Sequence, residues 1–324
     1  MPIKDDVFQI LRENRGKSVS GSEIARTLGV TRAAVWKAIA ALRAEGVPVD
    51  AGTNRGYCLS GEADILSEAL IRSRLKRPDI AIEMRRDCDS TNNVAKRLAM
   101  QGAAAGTLVL TEMQTAGRGR LGRSFYSPGR GGVYMSVILR PRLAVYDSVL
   151  ITAGAAVAVC RAIEAQAGVR AEIKWVNDVY IAGKKVCGIL TEAASDLESG
   201  GVEYIVVGIG INVRRGEERV PEELADVITT VEEHTAGAHV GRSELIAAVA
   251  NELDVIGAQL ESGAFLDEYR ARSMVLGKRV LAICAGMCEP VEVLGIDGRA
   301  GLVVRGENGE EKTLHSGEIS IRPV

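Results

Sequence analysis

The spacing of apolar residues changes character twice along this chain, and no other feature restricts its fold as much. In the first sixty residues the period is that of amphipathic helices: Val7, Ile10 and Leu11 share one face, Ile24, Ala25 and Leu28 a second, and Val35, Ile39 and Leu42 a third. From about Gly61 to Arg272, strand-like and helix-like stretches alternate. Thr91–Met100, 150–166 and 243–260 suit helices, whereas Thr107–Thr111, Val133–Leu139 and Tyr204–Asn212 suit strands. After Gly277 only short β runs remain, at Arg279–Ile283, Val291–Leu294, Leu302–Val304 and Glu318–Ile321, with Asp297-Gly298 and Asn308-Gly309 as hairpin signals. A helical start, a mixed α/β (α+β) middle and an all-β end cannot share one layer architecture. The 324 residues also exceed what a single core usually absorbs. Three parts are expected, residues 1–62, 63–273 and 274–324, the last a small SH3-like β-barrel.

In the first part, a short helix ends in Leu-Gly-Val at Gly29, and Thr31 can cap the longer helix that follows. That is helix-turn-helix spacing, with Ala25 small enough for close approach and Val35 packed between the helices. Val47-Pro48-Val49 and Gly56–Leu59 then flank a turn carrying Arg55, so the whole segment resembles a winged helix-turn-helix. Arg32, Lys37 and Arg43 lie off the apolar stripe of the third helix, where they can meet phosphates or base edges, and Arg55 lies near the wing tip. Trp36 is expected to pack at an edge. DNA binding is favoured over a module for protein contacts.

Charge supports that asymmetry only mildly. The whole chain has a net charge of −2, but residues 1–60 carry nine Lys or Arg against six Asp or Glu. No run approaches the length of uninterrupted apolar sequence that a membrane span needs, and the charged N-terminus lacks a signal-peptide pattern. A cytoplasmic protein with no membrane partner is therefore expected. The six cysteines form no CxxC and there are three histidines, which speaks against structural zinc and a disulfide framework. Cys284 and Cys288, with only His315 near in sequence, are read as core or strand-edge residues.

The least ordinary stretch is Gln114–Arg123, in which Gly117, Gly119 and Gly122 interleave with Arg118, Arg120 and Arg123, with no acidic residue from Gln114 to Arg130. Glycines permit close backbone approach and positive φ, and guanidinium groups are planar donors for carboxylate and phosphate oxygens. Such a loop is expected to be mobile when empty and ordered by an anion; alone, it could equally be an RNA-binding or solvated basic turn. No GxxxxGK[ST] is present, and Gly208-Ile-Gly210-Ile-Asn212 does not complete a dinucleotide fingerprint.

The loop stands in a series, however. Asp89-Ser90-Thr91-Asn92 precedes it; Lys174-Trp175-Val176-Asn177-Asp178 and Gly183–Leu190 follow. In this order and spacing the segments resemble the signature of biotin protein ligases, and with the winged helix in front they resemble the bifunctional bacterial type that is both ligase and biotin-operon repressor. The resemblance runs over essentially the whole chain and includes the C-terminal barrel. It implies an ATP-dependent, magnesium-assisted enzyme. Biotin and ATP give biotinyl-5′-adenylate and pyrophosphate, and a lysine of a biotin carboxyl-carrier protein, an acetyl-CoA carboxylase subunit, then takes the biotin. It further implies that the unused adenylate serves as corepressor, favouring a homodimer that binds operator DNA.

Residue by residue, the resemblance implies that Ser90, Thr91, Asn92, Gln114 and Gly117 bind biotin. It implies that Arg118, Gly119 and Arg120 close over the carboxylate and the adenylate phosphate, and that Lys185 bonds the reacting oxygens. Lys185, Arg118 and Arg120 are thus the catalytic candidates. Arg118, Arg120, Arg123, Phe125, Asn177 and Asn212 are the nucleotide candidates, and Asp178 the magnesium candidate. Plainer roles stay open: a helix cap for Ser90 or Thr91, a solvated turn for Lys184 and Lys185, a surface charge for Arg123, and structural polar groups for Asp178 and Asn212. Two departures stand out. Val176 occupies a position where the family usually has proline, and Phe125-Tyr126 follows the loop where some relatives carry Trp. Two other functions share these features: a biotin-sensing regulator that no longer catalyses, and a ligase for lipoate or another acyl acid.

Overall fold

The computed structural model describes residues 3–14, 16–44, 47, 49–52, 56–59, 64, 66–140, 148–195, 202–216, 218–284 and 287–320. The chain divides into two compact units, Met1–Ala69 and Leu70–Val324.

The first unit contains α1 (Ile3–Glu13), α2 (Gly21–Leu28), α3 (Arg32–Ala44), β1 (Val49–Gly52) and β2 (Gly56–Leu59). Ser20 caps α2 by accepting from the Glu23 amide at 3.1 Å, and Thr31 caps α3 by accepting from the Ala34 amide at 3.2 Å. Gly29 ends α2 in the left-handed region at φ 65°, as its place in Leu-Gly-Val predicts. Val7, Leu11, Ile24, Val35, Ile39 and Leu59 are buried together, so the predicted stripes of all three helices meet in one core. Gly56, at φ 84°, is required twice: its conformation favours glycine, and a Cβ there would strike the Val19 carbonyl. Arg32 and Lys37 are exposed on α3. Trp36 departs from its expected edge packing, with 63% of its surface exposed. Arg43, also exposed, donates from its Nε and Nη2 to the Val49 carbonyl at 2.8 and 2.6 Å, which ties α3 to the wing. Arg55 lies outside the described residues.

In the second unit, β3 (Ile82–Cys88), β4 (Leu108–Gln114), β5 (Gly132–Leu139), β6 (Glu172–Lys174), β7 (Asp178–Ile181), β8 (Lys184–Ser195) and β9 (Val202–Asn212) form a seven-stranded sheet of order β3-β4-β5-β9-β8-β7-β6. Only β3 and β4 pair in parallel. The helices are α4 (Glu68–Arg74, across the unit boundary), α5 (Thr91–Met100), α6 (Ser148–Ala167), α7 (Glu222–Ala225), α8 (Arg242–Gln259) and α9 (Leu266–Ala271). Because side chains alternate along a strand, β8 presents Gly188, Leu190 and Glu192 on the face of α5, opposite Gly210, Gly208 and Val206 of β9. Thr191 points the other way, where Thr152 of α6 donates to its hydroxyl at 2.7 Å. Of the described helices only α6 is long and apolar enough to cross a membrane, and most of it is buried in the core. Its close approach to α8 depends on Gly154, where a Cβ would lie 2.5 Å from the Ile256 side chain.

The remaining strands, β10 (Arg279–Cys284), β11 (Met287–Ile296), β12 (Leu302–Gly306), β13 (Glu311–Leu314) and β14 (Glu318–Ser320), form an antiparallel sheet of order β13-β12-β11-β10-β14, the SH3-like part. It is fastened to the β6–β7 turn and to α9 by hydrogen bonds from Trp175 Nε1 to the Ala300 carbonyl at 2.9 Å and from Arg270 Nε to the Ile296 carbonyl at 3.0 Å.

Candidate active site

A cleft of about 460 Å³, including its open mouth, lies on the α5 face of the large sheet. Three glycines make its floor. Gly188 and Gly210 are cross-strand partners, and a Cβ on Gly210 would strike the Phe125 ring. Gly208 lies under the Asn92 amide, which a Cβ would also strike. Side chains at these positions would fill the cleft, so the Gly-Ile-Gly-Ile-Asn run of β9 is explained by the space above it.

One wall is the start of α5. Ser90 occupies the N-cap position but makes no side-chain cap bond. Gln114, at the end of β4, supplies the acceptor instead: its Oε1 takes the Thr91 amide at 2.9 Å and the Thr91 hydroxyl at 3.2 Å, and its Nε2 donates to Ser127 at 3.0 Å. Ser136 of β5 places its hydroxyl 2.8 Å from Thr91 Oγ1 and 2.6 Å from Asn92 Oδ1. Asn92 Nδ2 donates to the Leu190 carbonyl at 3.1 Å and to Glu192 at 2.8 Å. Burial by itself would raise the Glu192 pKa, but hydrogen bonds from Lys96 and Asn92 outweigh it and hold the group below its ordinary value.

The opposite end is cationic. Ala182 and Gly183 take positive φ and turn the chain into β8, which brings Lys185 to the cleft. Its Nζ lies 2.8 Å from Asp178 Oδ1. That oxygen is buried and meets no donor in hydrogen-bond geometry, so the contact is an ion pair whose direction is off the hydrogen-bond axis. Lys174, beside this pair, has its pKa lowered by burial. Arg120 donates to Asn177 Oδ1 at 3.2 Å, and Asn177 in turn donates to the Ile189 carbonyl at 3.0 Å.

The Gly-Arg loop folds on itself, with the Phe125 amide bonded to the Gly117 carbonyl at 2.9 Å and the Gly119 amide to the Arg123 carbonyl at 2.7 Å. Its arginines part company. Arg120 faces the Lys185 end. Arg118 crosses to the α5 wall, donating to Asn93 at 3.1 Å and pairing with Glu192 at 3.1 Å, and still lines the cleft. Arg123 points out of the cleft and pairs with Glu318 of β14 at 2.6 Å, toward the SH3-like part. Asn212 lies in an adjoining cavity of about 250 Å³ lined by Tyr126, Tyr134, Arg214 and Thr230. Phe125 lines the first cavity and Tyr126 the second. Ser90, Thr91, Asn92, Gln114, Arg118, Gly119, Arg120, Phe125, Asn177 and Lys185 are thus gathered around one space. Gly117 stands just behind it, packed on Ser127 and Gln114.

Sequence reasoning did not single out Ser127, Ser136, Gly188 or Glu192. Two of them leave a signal: Ser136 interrupts the apolar run Val133–Leu139, and Glu192 falls on the same side of β8 as Gly188 and Leu190. Among the described residues, no group of three His, Cys, Asp or Glu could hold a metal ion.

Comparison with known proteins agrees with this geometry. Residues 84–212 match the biotin/lipoate A/B protein ligase family and residues 4–58 an HTH domain. The chain is 39% identical over 246 residues to the bifunctional ligase/repressor BirA of Bacillus subtilis (strain 168), covering 75% of each chain. It is 29% identical over 321 residues to BirA of Escherichia coli (strain K12), covering 95% of this chain and 94% of that one. The structure of the Aquifex aeolicus biotin protein ligase in complex with biotin and ATP superposes with a TM-score of 0.63 at 29% identity, covering 75% of this chain and 99% of that one. The chain belongs to the biotin/lipoate A/B protein ligase family, in its bifunctional ligase/repressor branch.

Proposed function

We infer that the chain is an ATP-dependent biotin protein ligase that also acts as a transcriptional repressor. The observation that carries the catalytic half is the convergence of Lys185, Arg120 and Asn177 with the Thr91–Asn92–Gln114 wall on one glycine-floored cleft. An acid whose polar ring meets the α5 wall points its carboxylate toward Lys185. The carboxylate oxygen attacks the α-phosphorus of ATP, the bond to the bridging oxygen breaks, and pyrophosphate leaves. Lys185 Nζ donates to the oxygens on which charge develops, and Arg120 supplies a second cation at the same end. In the second step a lysine amine of a biotin carboxyl-carrier domain attacks the acyl carbon of the mixed anhydride; AMP leaves and the amine loses a proton. The nucleotide base is assigned to the side of the cleft where Asn212 and Tyr126 meet, the polar and aromatic groups next to Phe125.

A magnesium ion is usually held by one or two carboxylates together with substrate phosphates. Asp178 is the candidate carboxylate: its buried Oδ1 is held beside the cationic end of the cleft by the Lys185 ammonium, 2.8 Å away. Asp178 would hold the ion with the phosphate oxygens, where it would neutralise their charge.

For the repressor half, Arg32 and Lys37 lie exposed on the second helix of the helix-turn-helix, free to meet operator DNA. Unused adenylate favours a homodimer, and the homodimer favours the operator, by ordinary linkage. Neither a silent regulator nor a lipoate ligase accounts for Lys185 in the cleft together with the winged helix. Lys185→Ala tests the catalytic reading through biotin-dependent pyrophosphate release. Losing a charge-assisted contact of roughly 3 kcal/mol slows adenylation by about two orders of magnitude, and a near-wild-type rate would remove Lys185 from the site.

A further inference from the structure

One carboxylate holds both the α5 wall and the Gly-Arg loop without lining the cleft. Glu192 Oε1 accepts from Lys96 Nζ at 2.9 Å and lies 3.1 Å from Arg118 Nη1, while Oε2 accepts from Asn92 Nδ2 at 2.8 Å. Its side chain is 21% exposed. Asn92 and Lys96 stand one turn apart on α5, whereas Arg118 belongs to the Gly-Arg loop, so three donors from two elements converge on one residue of β8. We propose that Glu192 is a positioning residue for acid binding: it sets the orientation of the Asn92 amide and docks the Arg118 end of the loop at the same time.

The donor count explains why a carboxylate stands here. With Nδ2 committed to Glu192 and the Leu190 carbonyl, Asn92 turns Oδ1 toward Ser136 and over Gly208, so the cleft is offered an acceptor. An N–H group on the acid's ring requires that polarity. A glutamine at 192 would have a single acceptor oxygen. Whichever way its amide faced, its own N–H groups would meet either Asn92 Nδ2 or the Lys96–Arg118 pair. The amide of Asn92 would then lose its fixed sense, or the loop would lose its anchor.

The inference rests on the reading of the cleft as the biotin site, and the experiment separates the two. Pyrophosphate release is measured against biotin concentration at saturating ATP for the wild type, Glu192→Gln, Glu192→Asp and Thr91→Val. Tryptic cleavage after Arg118 and Arg120 is followed in the same full-length proteins without substrates. For Glu192→Gln, the biotin KM rises about tenfold, the scale of one charge-assisted hydrogen bond. Its kcat stays within about twofold, and the loop is cut faster. Glu192→Asp, which keeps the charge, recovers part of both effects. A role confined to folding would lower kcat and the amount of active enzyme without a selective rise in biotin KM. An unchanged biotin KM or unchanged loop cleavage in Glu192→Gln overturns the proposal. If Thr91→Val also leaves the biotin KM unchanged, the pocket assignment itself fails; if Thr91→Val raises it and Glu192→Gln does not, only the role of Glu192 fails.

Discussion

Gly208→Ala perturbs the cleft by one methyl group. Gly208 is held on both sides within the sheet, paired with Ser136 of β5 and Leu190 of β8, so its backbone has little room to retreat. The new Cβ would strike Asn92 Oδ1 and lie 2.8 Å from Asn92 Cγ, well inside van der Waals contact. Asn92 is only 3% exposed and fixed by two donated hydrogen bonds, so it must rotate out of them to make space. Two such bonds are together worth about 1–3 kcal/mol, which converts to an increase of roughly 5- to 150-fold in the biotin KM. Initial rates of pyrophosphate release against biotin give that number, with ATP saturating. Gly257→Ala is the matching control: it sits on α8 with nothing within 4 Å of a new Cβ, and should leave the KM unchanged while adding about 0.5–1 kcal/mol of helix stability. A wild-type biotin KM in Gly208→Ala would refute both the glycine floor and the role of Asn92 beside it.

Two further expectations concern stability and DNA. Arg272 joins Glu164 at 2.6 Å and Glu268 at 2.8 Å, and Arg161 joins Glu268 at 2.5 Å, a network linking α6 to α9. The Arg272 hydrogen bond holds Glu164 below its usual 4.5; at Glu268, burial pushes upward but Arg161 and Arg272 prevail. Depressed carboxylates stabilise the fold fully above their unfolded pKa and lose that contribution as pH falls through the lower native values. Arg272→Met should therefore cost about 3 kcal/mol at neutral pH, and its Tm deficit should shrink below roughly pH 4.5; a deficit independent of pH would contradict the network. On duplex DNA of random sequence, Arg32→Ala and Lys37→Ala should each reduce the slope of log K against log salt by about 1. Arg43→Ala, which loses its tie to the wing, should lower stability with less effect on that slope; wild-type slopes for Arg32→Ala and Lys37→Ala would remove α3 from the DNA interface.

What the chain discloses before folding follows from which contacts are local. The helix-turn-helix was legible because its caps, Gly29 and its apolar stripes lie within a few residues of the groups they serve. Strand β13, Glu-Lys-Thr-Leu, was not: it is largely exposed and carries no apolar alternation, so only its pairing with β12 defines it. Strand β3 was hidden in the same way by Arg85 and Arg86 on its exposed half. In the cleft, the residue types on the Gly-Arg loop and around Lys185 marked the place but not the direction of each side chain. Arg118 and Arg123 are five residues apart in one basic loop, yet one ends on Glu192 and the other on Glu318. Their partners lie 74 and 195 residues away in sequence, at distances set by the sheet and invisible to any local pattern. Trp36 shows the converse limit: its apolar character suggested packing, but its position on α3 turns it outward.

The account rests on one cleft that activates biotin and delivers it to a protein lysine. Its most direct test offers the pure protein ATP-magnesium, a biotin carboxyl-carrier domain, and either biotin or lipoate, and measures pyrophosphate release and label on the carrier lysine. The account predicts release with biotin and stoichiometric label on that lysine, with lipoate giving neither. Label from lipoate would make this a different acyl ligase, and silence with both acids would contradict the catalytic reading altogether.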